Sequence, residues 1–176
     1  MRWDALFADL EARLDAAAVA DRVDEIAERT RVERATVGVV DRLRAQSGQV
    51  DVLLRDGSSV SGAVSDAGPT WFLLADGPRE HLVPTAAAVA VGGLTDRVEP
   101  SAGAVLSRLG LGHVLRGLAQ DRTVVRVRAA GLVLVGRVDA VGSDHVDLAA
   151  VAADTLRPTG HRRAVATALI DVLTRA

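Results

Sequence analysis

Apolar residues at the start of the chain recur at the spacing of one helix face. Trp3, Leu6, Phe7, Leu10 and Leu14 follow the i, i+3, i+4, i+7 pattern, and acidic residues occupy the other faces. The pattern continues to about residue 46, and up to that point the chain has no proline and a single glycine. We therefore predict a helical N-terminal segment, formed by a helical hairpin or by one long bent helix.

From residue 50 onwards the apolar residues alternate with other residues, as they do in β-strands. Val50, Val52 and Leu54 share one side of a predicted strand, and Asp56-Gly57 follows as the signal of a tight hairpin. Further turn signals separate short strands as far as residue 91. The stretch 92–103 is rich in glycine, proline, serine and charged residues, which predicts a linker.

A comparison of the chain with itself indicates that the β-rich pattern occurs twice. Matching residues are 75 positions apart in the first strand and 74 positions apart after the first hairpin. The matched pairs are Val50 with Val125, Val52 with Val127, Gly57 with Gly131, Gly62 with Gly136, Val64 with Val138, Gly68 with Gly142, and Leu74 with Leu148. Each predicted unit is a helix followed by about five short strands.

That order resembles the Sm-like small β-barrel superfamily, whose members have an N-terminal helix and a bent five-stranded antiparallel barrel. The segment 50–57, with Gly62 and Val64 after it, is similar to the first sequence motif of that superfamily. The resemblance covers roughly residues 37–91 and 112–173. It implies an α+β fold in which an N-terminal helical segment precedes two tandem five-stranded Sm-like barrels, each preceded by a helix.

The predicted domain boundaries follow from this reading. They are a helical segment at 1–36, a first helix and barrel at 37–91, the linker at 92–103, and a second helix and barrel at 104–176. Sm-like proteins hold RNA with an Asp–x–x–Met–Asn loop and an Arg–Gly pair near the last strands. The matching loops here have no asparagine, and no Arg–Gly pair precedes either final strand. The resemblance therefore implies a fold and no RNA-binding residues.

Composition narrows the classes of function. The chain of 176 residues has no cysteine, which excludes disulfides, thiolate metal ligands and a cysteine nucleophile. No apolar stretch approaches the ~20 residues of a membrane-spanning helix or resembles the core of a signal peptide. We therefore expect a cytoplasmic location and no membrane partner.

Arginines of the second unit form the candidate surface for nucleic acid or another anion. Arg126 and Arg128 alternate with valines on one predicted strand, and Arg157, Arg162 and Arg163 lie in a longer loop. Net charge is unevenly distributed: residues 101–176 carry 10 Arg and 6 acidic residues, whereas the first 100 carry 11 Arg and 17. We favour the interpretation that these arginines form a solvated face that pairs with the acidic N-terminal helices.

Trp71 and Leu73 are predicted to point away from the first core, because Phe72 and Leu74 alternate with them. An outward apolar pair needs a cover, and we expect the N-terminal helices or the second barrel to provide it. The alternative is that Trp71 stacks on a base or anchors a partner. The candidate partner surface comprises Trp71, Leu73, Trp3 and Phe7.

The chemistry-bearing side chains do not form a recognisable catalytic motif. Ser143, Asp144, His145 and Asp147 are adjacent in sequence, but neighbours on a strand point to opposite faces, so adjacency is not convergence. The four histidines have no metal-ligand spacing. We therefore predict no catalytic residue, no metal and no cofactor.

The predicted function is that of a non-catalytic interaction or adaptor protein, which binds a protein partner or associates with itself. Small open barrels leave edge strands, which can be satisfied by self-association or by pairing of the two units within one chain, and the sequence does not choose between these. The alternative is a nucleic-acid-binding protein, RNA before DNA, that uses the arginines of the second unit. No small-molecule substrate is expected. Arginines clustered without acidic partners favour nucleic acid, whereas arginine–acid pairs between the two halves favour an interaction protein.

Overall fold

The computed structural model describes residues 25, 28, 29, 31, 32, 35–99, 109–152 and 157–175. Contacts between residues divide the chain into two units, Met1–Gly38 and Val39–Ala176. In the first unit the described residues as far as 35 are helical, and Arg29 forms an ion pair with Glu25 at 3.4 Å, one helical turn away. The predicted helix before residue 25 lies outside the described residues.

The second unit is rich in β-strands. Its helices are α1 (Val39–Arg44) and α2 (Leu111–Gln120), and its short 3-10 helices are η1 (Thr85–Ala87) and η2 (Thr167–Leu169). Its strands are β1 (Gln49–Leu54), β2 (Ser59–Gly68), β3 (Trp71–Asp76), β4 (Arg79–Pro84), β5 (Ala88–Gly92), β6 (Val124–Ala129), β7 (Leu132–Val141), β8 (His145–Val151), β9 (Pro158–Ala166) and β10 (Ile170–Arg175). Within the described part of the chain, no helix has the length and apolarity needed to cross a bilayer.

The ten strands form one antiparallel sheet in the order β5-β1-β2-β3-β4-β10-β6-β7-β8-β9. The sheet is not closed, so the prediction of two five-stranded Sm-like barrels is wrong. The two sets of strands join where β4 pairs with β10, with Leu82 opposite Leu173 and His81 opposite Thr174. The physical reason is that an edge strand leaves backbone N–H and C=O groups unpaired, and β4 and β10 satisfy each other at this junction.

The strand order is the same on the two sides of the junction. The first five strands are arranged β5-β1-β2-β3-β4, and the last five are arranged β10-β6-β7-β8-β9. Helix α1 precedes β1, and helix α2 precedes β6. This arrangement leaves β5 and β9 as the two outer strands of the described sheet. That the two sets are copies of one unit stays a prediction.

Two apolar cores form because neighbouring residues on a strand point to opposite faces. In β1 every second residue is buried in the first core, as the alternation in the sequence predicts. Strand β3 contributes Phe72 to the first core and Trp71 to the second, and β10 contributes Val172 to the first and Leu173 to the second. The strands at the junction therefore pack against both cores.

Glycine permits a close approach of two strands at one position in each set. A Cβ atom at Gly62 of β2 would lie 2.7 Å from the carbonyl oxygen of Ala75, and one at Gly136 of β7 would lie 2.9 Å from that of Ala149. Both distances are shorter than a carbon–oxygen contact allows. A larger residue at either position would therefore push the neighbouring strand away.

A buried ion pair joins the β1–β2 hairpin to β10. Nε of Arg55 donates to Oδ1 of Asp171 at 2.5 Å, and its terminal nitrogens donate to the carbonyls of Ala168 and Ile170 at 2.7 and 2.9 Å. The Asp171 side chain is fully buried, whereas that of Arg55 is one-third exposed. This contact links the first five strands to the last five. It therefore adds a side-chain link to the backbone pairing of β4 with β10.

We expect Arg55→Met to lower the free energy of unfolding by about 3–5 kcal/mol, because it leaves the Asp171 carboxylate buried without a cation. The double variant Arg55→Met, Asp171→Leu is expected to recover much of that loss, since no unpaired charge then stays buried. Urea denaturation measures both. An Arg55→Met protein that unfolds at the same urea concentration as the original would show that the ion pair does not stabilise the fold.

Candidate ligand-binding groove

A groove with a volume of about 1060 Å³ lies at the junction of the two sets of strands. Its described walls come from β2 and β4 on one side of the junction and from β6, β7 and β10 on the other. Polar side chains from these strands include Ser59, Ser61 and Thr174. The groove therefore exists only because β4 and β10 bring the two sets together.

Four arginines give the groove its positive charge, namely Arg79, Arg126, Arg128 and Arg175. Asp76 is the one carboxylate among the described residues that line it. Nε of Arg128 also lies 4.0 Å from Oδ2 of Asp56, and Nη1 of Arg175 lies 3.6 Å from Oε2 of Glu80. The side chains of Arg79 and Arg126 have no hydrogen bond or ion pair with any residue in the described ranges.

Strand alternation directs two of these arginines into the groove. On β6, Val125 and Val127 are buried in the second core. Arg126 and Arg128 alternate with them and so lie on the opposite face. The predicted outward orientation of this arginine pair is confirmed, and it is the reason why both side chains line the groove.

An exposed apolar strip lies beside the two arginines. Val135 of β7 is opposite Arg126, and Val133 is opposite Arg128. The exposed fractions of these valines are 38% and 57%, which is high for β-branched residues within a strand. Because residues opposite each other in an antiparallel pair share a face, the groove presents cations and apolar side chains together.

His81 lies on the β4 wall of the groove, at the junction with β10. Its Nδ1 atom is 2.9 Å from the Oγ1 atom of Thr174. Burial lowers the pKa of His81 below its ordinary value, Asp76 opposes that shift, and Arg128 and Arg79 lower the pKa further. The lowered pKa favours the neutral imidazole at pH 7, and a neutral imidazole can form a hydrogen bond with a ligand without adding charge.

The other three predicted arginines do not line the groove. Arg162 of β9 contacts Asp139 at 2.6 Å, and the same carboxylate contacts Arg137 at 3.3 Å. Arg163 lies opposite Leu148, and Arg157 is an exposed residue just before β9. The structure therefore divides the predicted arginine surface into a groove pair and a set around β9.

The predicted partner surface around Trp71 is largely covered. The side chain of Trp71 is 5% exposed and packs in the second core with Leu73 beside it. Its Nε1 atom donates to the carbonyl of Leu109 at 2.7 Å. Neither side chain is available to stack on a base, and the predicted partner residues Trp3 and Phe7 lie outside the described residues.

Asp144, in the turn between β7 and β8, pairs with His145, the partly exposed first residue of β8. Oδ1 of Asp144 is 2.7 Å from Nδ1 of His145, and this hydrogen bond raises the pKa of His145 above its ordinary value. Ser143 makes no hydrogen bond to either side chain. In the ranges that the structure describes, no three His, Asp or Glu residues converge in a way that could hold a metal ion.

Sequence reasoning missed Arg79, His81 and Arg175 as groove residues. They lie on β4 and β10, which are separated by most of the second set of strands. The residues of β4 do not alternate between polar and apolar, so no strand pattern indicated which of them face a groove, and the sequence does not show which strand lies beside β4. Their position depends on the β4–β10 pairing, which no sequence pattern indicated.

Comparison with known protein families and with curated proteins finds no match to this chain. The resemblance to the Sm-like superfamily therefore stays a prediction. Function has to be argued from the groove and its residues.

We expect the two histidines to titrate in a fixed order. Their ordinary pKa is 6.5, and in an NMR pH titration the ring protons of His81 should shift with a midpoint below that value and those of His145 with one above it. The variants His81→Gln and His145→Gln assign the signals. Equal midpoints would contradict the burial of His81 in the groove wall or the pairing of His145 with Asp144.

Proposed function

We propose that this chain is a non-catalytic, cytoplasmic interaction protein whose groove binds an acidic segment of a protein partner. The observation that carries the proposal is the combination of four arginines, one aspartate and an exposed valine strip in one groove. Charge complementarity sets which partner binds, and apolar contact area contributes to affinity. A polypeptide with acidic and apolar residues supplies both.

The arginines favour carboxylate ligands. The guanidinium group matches the geometry of a carboxylate and forms two parallel hydrogen bonds with it. The side chain of Arg126 has no ion pair within the described structure, and Arg79 lies opposite Asp76 without forming one, so a bound carboxylate would give either arginine its first ion pair. The positive potential also acts on His81, whose pKa is lowered in part by Arg128 and Arg79.

Arginine–acid pairs between the two sets of strands also support an interaction protein. Arg55 pairs with Asp171, and Arg175 of β10 contacts Glu80 of β4 at 3.6 Å. These pairs use part of the charge of the chain to hold the two sets together. The groove therefore lies on strands that are joined by side-chain contacts as well as by backbone pairing, an arrangement that favours a preorganised binding surface.

Nucleic-acid binding is the second candidate, because the same four arginines could contact phosphates. Proteins that bind single strands commonly stack bases on aromatic side chains. The described residues that line the groove include no Phe, Tyr or Trp, and their one aromatic ring, that of His81, is partly buried and bonded to Thr174. A sugar–phosphate backbone would also leave the exposed strip of Val133 and Val135 without a complementary apolar surface.

Self-association is the second kind of protein contact that we consider. β5 is an outer strand of the described sheet, carries no charged residue and has Val89 at 65% exposure. Uncharged edge strands tend to pair with strands of other molecules. Sedimentation of the full chain at several concentrations tests this, and a mass that stays that of one chain would exclude it.

The groove proposal is tested by fluorescence anisotropy with a labelled peptide that carries several acidic and apolar residues. We expect binding that weakens about tenfold in the variant Arg126→Ala, Arg128→Ala, since each partly exposed charge contact contributes roughly 0.5–1 kcal/mol. The matched control is Arg162→Ala, Arg163→Ala, which removes the same charge outside the groove. Its affinity should stay within about twofold of the original.

A labelled single-stranded RNA of similar length is measured in parallel over a range of salt concentrations. Salt-sensitive RNA binding that depends on Arg126 and Arg128, without peptide binding, would replace the proposal with the second candidate. Equal losses in the groove variant and in the control variant would show that the groove is not the binding surface.

A further inference from the structure

The arginine pair of β6 sets a spacing inside the groove. Arg126 and Arg128 are two residues apart on one strand, so their Cα atoms are about 6.5–7 Å apart and their side chains share one face. Both are among the residues that line the groove. Because β6 is hydrogen-bonded to β10 on one side and to β7 on the other, this spacing is held by the sheet.

An extended polypeptide has the same period. Its side chains return to the same face every second residue, at the same interval of about 6.5–7 Å. Two acidic residues at positions i and i+2 therefore present both carboxylates to Arg126 and Arg128 at once. Two acidic residues at i and i+1 point to opposite faces, so only one of them reaches this arginine pair.

The apolar strip has the same register. Val135 is opposite Arg126 and Val133 is opposite Arg128, one strand spacing of about 4.8 Å away. Each arginine thus has an exposed valine at its side. Because the valines and the arginines share one face, the ligand residues that face the arginines also face the valine strip, and burial there excludes water and strengthens the charged contact.

We propose that the groove selects an extended segment of a partner protein in which two acidic residues lie two positions apart. This inference rests on the proposed function and adds the pattern of the bound segment. The carboxylate groups of that segment lie against Arg126 and Arg128, beside Val133 and Val135. Arg79 adds a third cation from β4, on the other side of β10.

The test compares two labelled peptides of identical composition, length and charge, each flanked by Gly-Ser residues for solubility. One contains Val-Asp-Val-Asp-Val and the other Val-Asp-Asp-Val-Val. By fluorescence anisotropy we expect the alternating peptide to bind the full chain about fivefold more tightly, because it engages two arginines where the other engages one. A peptide with Asn in place of both Asp residues measures the apolar contribution.

Protein variants assign the preference to the arginine pair. Arg126→Ala should weaken the alternating peptide and bring the two acidic peptides within about twofold of each other, whereas Arg162→Ala should leave the preference unchanged. Thermal unfolding followed by circular dichroism shows whether each variant keeps its fold. Arg128→Ala provides an independent second test, because it removes the other member of the pair.

The possible failures are distinguishable. Acidic peptides that bind wild-type protein equally well, with binding lost in Arg126→Ala, would overturn the spacing rule and keep the proposed function. A preference that persists in both Arg126→Ala and Arg128→Ala would also overturn it. Binding of a single-stranded RNA without binding of either peptide would overturn the spacing rule and the proposed function together.

Discussion

The pairing of β4 with β10 is the contact on which the rest of the second unit depends. It joins five strands from one part of the chain to five from another and makes one sheet of ten. Through it, β3, β4 and β10 acquire partners on both faces, so two cores are packed against the same strands. Without this pairing, two backbone edges would need other hydrogen-bonding partners and the groove would have no second wall.

Electrostatics around the junction separates structural arginines from those that face a ligand. Arg55 is committed to the fully buried carboxylate of Asp171 and to two backbone carbonyls, so it contributes to holding the sheet together. Arg126 lines the groove in which a ligand would lie, and its side chain has no acidic partner in the described chain. Arg128 is intermediate, since Asp56 lies 4.0 Å away. Residues of one type therefore have different roles according to their burial and neighbours.

Local patterns in the sequence were sufficient for several parts of the fold. The alternation in β1 and the opposite orientations of Trp71 and Phe72 are confirmed, because side-chain direction along a strand follows from backbone geometry alone. The same rule found the groove-facing Arg126 and Arg128. The prediction that Arg162 and Arg163 lie in a loop is wrong, because both are on β9, where Asp139 pairs with Arg162, and a local pattern does not show such a neighbour.

The sequence by itself determined the alternation of buried residues in β1, the hairpin turn after it, and the outward orientation of Arg126 and Arg128. It did so because these properties depend on periods of two residues and on turn residues that act locally. The tertiary structure decided that the strands form one open sheet, that Trp71 is covered by the second core, and that Arg79 and His81 meet Arg126 in one groove. These outcomes depend on which edge strands pair, and hydrogen-bonding groups of the backbone are the same in every residue except proline, so the choice leaves no local pattern in the sequence.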